Sequence, residues 1–140
     1  AAGLEESRAS RGARIYITPI VFHFAIVLVV SAIAVTPGLP FQAVGVLVGV
    51  CALLGFIYSL ATTMRIFAIR DMDLPDWEDK IFYGIVPTIG YLLMAGSAVA
   101  VWLTPASAAL CIAPVMLLIL LLGIRNAWDI TIWTVTHRRE

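Results

Sequence analysis

The sequence predicts an all-α membrane protein with four transmembrane helices, paired as two antiparallel hairpins, and with both termini in the cytoplasm. Three observations carry this. The 140 residues are 61% hydrophobic and only 13% charged, against roughly one quarter charged in soluble domains, and the mean hydropathy is +0.99. Four apolar runs, about 15–35, 41–64, 81–103 and 106–124, each come near the ~20 residues that a ~30 Å hydrocarbon core requires. All nine basic residues lie on one side of those runs.

Residues 1–14 form a basic tail containing Arg8, Arg11 and Arg14. From 15 to 140 the chain reads as one transmembrane domain. The first run is too long for a signal-peptide h-region, and no clear A-x-A cleavage site follows it. None of the runs alternates with period two, which argues against a β-barrel. In lipid the backbone must satisfy its own polar groups, so the runs are expected to be helices.

The connections are of two kinds. "TPGLP" at 36–40 and "TPAS" at 104–107 are short and uncharged; proline there stops one helix and helps start the next. Such turns make the first and second spans antiparallel neighbours, and likewise the third and fourth. The middle connection, 65–80, is longer and strongly charged. Arg8, Arg11, Arg14, Arg65, Arg70, Lys80, Arg125, Arg138 and Arg139 all fall on the side of this loop and the tails. The positive-inside rule then predicts that the charged end and both termini face the cytoplasm, with only two tight turns on the far side.

Displacing the sequence by 68 positions brings punctuating residues into coincidence. Pro19 meets Pro87, Thr36-Pro37 meets Thr104-Pro105, the "LLG" of 53–55 meets that of 121–123, and Thr63 meets Thr131. Two readings stand. Either the halves are parallel repeats about an axis along the membrane normal, or two hairpins look alike because lipid constrains both.

Within the spans, Gly45 and Gly49 form a GxxxG, and Ala52 and Gly55 extend a smooth helix-packing face. Gly96 and Ala100 suggest a similar face on the third span. Packing inside the bundle is favoured over an oligomer contact, since the chain has its own helices to pack. Pro114 is expected to kink the fourth span, whereas Pro19 and Pro87 lie near span starts, where proline costs less. Cys51 and Cys111 sit in apolar runs and make no CxxC or disulfide framework; they read as small packing residues.

His23 is the one ionisable residue well inside a span, roughly 12 Å deep at ~1.5 Å per residue. Such a group is a functional candidate by default. The favoured reading is a neutral imidazole hydrogen-bonded to another helix, through Ser97, Tyr91 or a backbone carbonyl. The alternatives are an axial ligand to haem or a chlorophyll-type ring, and a proton relay. A bis-His haem lacks its second histidine, because His137 is at the C-terminal tail; Met64, Met94 and Met116 are conceivable axial partners but suit packing better. No carboxylate lies deep in a span to pass a proton on. No cofactor is therefore expected.

The middle loop holds Asp71, Asp73, Asp76, Glu78 and Asp79. "DMDLPDWED" lacks the glycine and terminal glutamate spacing of an EF-hand, so no metal is expected. Asp73 or Asp76 suits a helix cap before Leu74-Pro75, and Trp77, Phe82 and Tyr83 suit the aromatic belt. In "LLLGIRNAWDITIW", Arg125 and Asp129 share a helix face at i, i+4, bracketed by Trp128 and Trp133. The fourth span has crossed by Ile124. Residues 125–137 then form an amphipathic end, with Arg125, Asn126, Trp128 and Asp129 joining Asp76, Glu78 and Asp79 in a cytoplasmic rim cluster. By the repeat, the second helix should run on through Arg65 and Ile69.

The segments "DLPDWEDKIFYGIVPTIGY" and "GIRNAWDITIW" resemble a group of small, uncharacterised bacterial four-span membrane proteins. These have an acidic W-E-D-type segment before the third helix and a G-I-x-N-A-W-D end to the fourth. The resemblance covers roughly residues 71–133 and implies a bacterial inner-membrane protein; it implies no activity. Arg125 stands where that group is expected to carry histidine, so a titrating role there is not implied.

No P-loop, GxGxxG or HExxH occurs, and zero net charge argues against nucleic acid. The leading expectation is a non-enzymatic accessory or scaffold subunit that meets a soluble partner or anionic lipid at its charged rim, with a membrane-protein partner or a homo-oligomer as the expected company within the bilayer. A small carrier or channel working as a homo-oligomer is the next reading; a pigment or haem protein using His23 is the third. Thr18, His23, Ser31, Ser59, Thr62 and Ser97 are few for a transport path.

Overall fold

The computed structural model describes residues 2–68, 77–104 and 108–137. These form helices α1 (Ala2–Val35), α2 (Phe41–Ala68), a short α3 (Trp77–Asp79) that leads into a π-helical stretch (Lys80–Ile85), α4 (Val86–Leu103) and α5 (Ala108–His137). No strand occurs among the described residues. Four of the helical segments are long and apolar enough to cross a membrane.

The expected spans are all present, with longer helices around them. Helix α1 begins at Ala2 rather than near residue 15, because the tail is rich in Ala, Arg and Glu, which favour helix. Helix α2 continues past Arg65 to Ala68; Ile69 lies outside the described residues, as do the caps expected at Asp73 or Asp76. Helix α5 runs unbroken past Pro114 and through the amphipathic end.

The first turn is closed by its own sequence. The Thr36 N–H donates to Ile33 O at 3.3 Å and its hydroxyl to Ala32 O at 2.8 Å. Gly38 then takes φ = +74°, a left-handed conformation that glycine adopts without steric cost. Nothing lies within 4 Å of where a Cβ on Gly38 would project. Gly38→Ala should therefore cost only backbone strain, about 1 kcal/mol, measured as unfolding free energy in detergent micelles. At the other turn the Thr104 N–H and hydroxyl both donate to Ala100 O, at 2.8 and 3.1 Å.

The helices pack as a ring, α1 on α2, α2 on α4, α4 on α5 and α5 on α1, with the α2–α4 seam the most extensive. Its inside holds Ile26, Val30, Val48, Cys51, Ala52, Tyr91, Met94, Ala98, Val101, Ile112, Met116 and Ile119. Leu28, Leu53, Leu92, Val99, Leu117 and Leu121 are exposed on the outside, as lipid requires and water would not reward.

Burial follows the 68-residue displacement in part: Ser97 and Leu122 are buried where Val29 and Leu54 are exposed, and Gly45 is buried where Ala113 is exposed, but other pairs agree. His23 and Tyr91 are both buried, as are Ile26 and Met94, Val30 and Ala98, Val48 and Met116, Cys51 and Ile119, and Gly55 and Gly123. The grooves follow it too. One of about 560 Å³ lies between α2 and α4, lined by Gly45, Gly49, Ala95, Ala98, Val99 and Trp102. One of about 590 Å³ lies between α5 and α1, and its lining includes the equivalents Ala113, Leu117, Val27, Val30, Ser31 and Ala34. Lipid fixes how long each hairpin must be, but not which face of each helix turns inward. The shared register thus supports a repeat rather than two hairpins alike only in length.

The glycines divide. A Cβ on Gly45 would stand 2.5 Å from Trp102 Cδ1 and 3.2 Å from Ala98 O, and one on Gly49 would stand 3.7 Å from Ala98 Cβ. Both serve the α2–α4 seam, as does Gly55 against Tyr91. Gly96 differs from expectation: it is exposed with nothing within 4 Å, so it supports no close approach among the described residues.

Candidate functional site: buried polar ties between helices

His23 on α1 and Tyr91 on α4 face each other across the diagonal of the ring. His23 Nδ1 and Tyr91 Oη share a hydrogen bond of 2.8 Å; the phenol is the donor when the imidazole carries its proton on Nε2. The residues are 2% and 0% exposed. Of the partners the sequence offers His23, the fold selects Tyr91. Gly55 on α2 makes room for it, since a Cβ there would fall 2.1 Å from Tyr91 Cε1. Phe22 stacks on Tyr58 with centroids 4.2 Å apart and meets the His23 ring edge-on at 71°. The imidazole thus lies between the ring of its chain neighbour Phe22 and that of the distant Tyr91, and it lines neither of the two grooves. Ser97 is occupied elsewhere, donating at 3.0 Å to Leu93 O or to Cys111 O and so linking α4 to α5.

Toward the charged end, α2 and α4 share a hydroxyl cluster. Ser59 Oγ and Thr88 Oγ1 are 2.9 Å apart, and Thr63 Oγ1 is 3.3 Å from Thr88 Oγ1. Thr88 donates to Gly84 O at 2.9 Å, and Thr63 to Ser59 O at 2.8 Å. Sequence reasoning singled out Ser59 but not Thr88 as its partner. The available signal was that Ser59 and Thr63 are four apart on one helix face.

A proline follows the π-helical stretch within the same helical run. Pro87 has no N–H, so one carbonyl before it lacks its helical donor: Tyr83 O counting i→i+4, Phe82 O counting i→i+5. Pro87 therefore lies inside a continuous helical run rather than in a cheap opening turn. Asn126 on α5 compensates, its Nδ2 donating to Phe82 O at 3.1 Å. In return Tyr83 Oη donates to Asn126 O at 2.9 Å. Tyr83 packs here with Ile20, Ile66 and Phe24. The structure thus separates Asn126 from Arg125 and Asp129: it lies at the charged end but is 0% exposed, because one helical step turns it about 100° from Arg125 toward the bundle.

The rim itself is an ion-pair group on an aromatic base. Arg125 contacts Asp129 at 3.0 Å and Glu78 at 3.6 Å, and its guanidinium carbon is 3.5 Å from the Phe82 ring centroid. Arg125 therefore ties α5 to the start of the third span as well as pairing along its own helix. Trp77 and Trp128 are exposed beside it, as membrane-belt residues are. Arg125 and Asp129 are part-exposed and Glu78 is exposed, so Arg125→Ala should lower stability by about 1 kcal/mol or less, with the loss shrinking as salt is raised; denaturation at two ionic strengths measures it. Asp76 lies outside the described residues, and so do the side chains of Asp79 and Trp133. No group of three or more metal-ligating side chains occurs among the described residues.

Comparison with protein-family models, with curated proteins and with solved structures finds no match to this chain.

Proposed function

We propose that this is a non-enzymatic, multi-pass protein of the bacterial inner membrane, oriented with both termini in the cytoplasm, that serves as an accessory or scaffold subunit of a membrane assembly. The observation that carries this reading is where the inward polar groups go. His23, Ser59, Ser97 and Asn126 each bond to another helix and Thr62 bonds to Tyr58 O on its own helix, so each of these groups has a bond that serves the bundle. Beyond His23, toward the short turns, the core is Ile26, Val30, Val48, Met94, Ala98, Val101, Ile112 and Met116, an apolar stretch poorly suited to a hydrophilic path. The charge and exposed tryptophans at the other end offer the surface a partner would read.

A photocrosslinking residue at Trp128, compared with one at Leu110 near the short turns, tests this in native membranes. The reading expects one stoichiometric partner adduct from the Trp128 position and none from Leu110. Recovery of only the unmodified protein from both positions would remove the subunit role.

A further inference from the structure

Asn126 leaves one atom unexplained. Its Nδ2 donates to Phe82 O and its backbone oxygen accepts from Tyr83 Oη, but its side-chain Oδ1, fully buried, meets no donor. Turning the amide end for end would set Oδ1 against Phe82 O, acceptor to acceptor, so the carbonyl fixes the orientation. A buried acceptor without a donor is costly, and folded proteins satisfy nearly all of them. The apolar cluster on this side of the bundle holds Ile20, Ile66, Phe24, Ala127 and Ile130, which carry no side-chain donor, and Tyr83, whose hydroxyl goes to Asn126 O rather than to Oδ1.

The missing donor has to be small, because the residue is wholly enclosed. It also has to be neutral. The nearby carboxylates, Glu78 and Asp129, are exposed or part-exposed at the rim and already face Arg125; a buried cation beside Oδ1 would have no counter-charge. We propose that Asn126 Oδ1 anchors a site for a single water molecule, wedged between α5 and the π-helical stretch. The water donates one hydrogen to Oδ1. Its other hydrogen goes to a backbone carbonyl of that stretch, where a carbonyl that already accepts one bond retains a second lone pair.

Radiolytic hydroxyl-radical footprinting of the full-length protein in lipid nanodiscs reads this directly, because bound waters are activated where they sit. Tyr83 and Tyr91 are matched phenols, 3% and 0% exposed, and only Tyr83 adjoins the proposed water. Tyr83 should be labelled several-fold faster than Tyr91, and Asn126→Leu should bring the two rates together. Equal rates in the unaltered protein would overturn the proposal. So would a high-resolution map in which an apolar side chain, rather than a solvent peak, stands at hydrogen-bonding distance from Oδ1; that measurement does not depend on the variant folding.

Discussion

Gly55→Ala is expected to destabilise the protein by about 1–3 kcal/mol, and Gly55→Leu to prevent recovery of a folded monomer. The added Cβ would sit 2.1 to 2.5 Å from three atoms of the Tyr91 ring. That ring cannot swing away cheaply, since it is wholly buried and held to His23 at its hydroxyl. Two other glycines serve as controls. Gly49→Ala meets only ordinary contact at 3.7 Å, and Gly96→Ala meets nothing, so both should be neutral or gain up to about 1 kcal/mol from helix propensity. Denaturation of the three variants in one detergent decides the matter. If Gly96→Ala proved as damaging as Gly55→Ala, the seam would have to be rearranged.

Tyr91→Phe comes next in expected effect. It leaves His23 Nδ1 in an apolar core without its hydrogen bond, a cost of about 1–2 kcal/mol. Removing both groups, in His23→Leu with Tyr91→Phe, should cost less than the sum of the two single changes by about 1 kcal/mol, in line with interhelical bonds in membranes. Strict additivity would mean that the pair touches without holding the diagonal together.

The sequence made the spans and turns readable because lipid imposes blunt rules: apolar length, charge at one end, proline and glycine between. It made the Arg125–Asp129 pair readable because spacing within one helix is a local matter, and Tyr91 could be named beside other candidates for His23. The choice between Tyr91 and Ser97 could not be read, because it depends on which helices share a seam. Asn126 shows the limit most clearly. Its neighbours Arg125 and Asp129 point to a solvated rim, yet a single helical step places it inside, where its task is set by a proline 39 positions earlier in the chain. That relation passes through the backbone of a third residue, Phe82, and leaves no pattern in composition or periodicity.

The π-helical stretch also bears on how the two halves correspond. An i→i+5 turn accommodates one more residue than an i→i+4 turn, so it acts as a one-residue insertion in the second half. Downstream of it the displacement of 68 holds, pairing Pro19 with Pro87 and His23 with Tyr91. Upstream, an alignment of the halves needs a gap and the displacement becomes 67, which sets Tyr83 against Tyr16. On that pairing the tyrosine that bonds Asn126 has a tyrosine counterpart in the first half, while the second and fourth spans keep the displacement of 68 as far as Thr63 and Thr131.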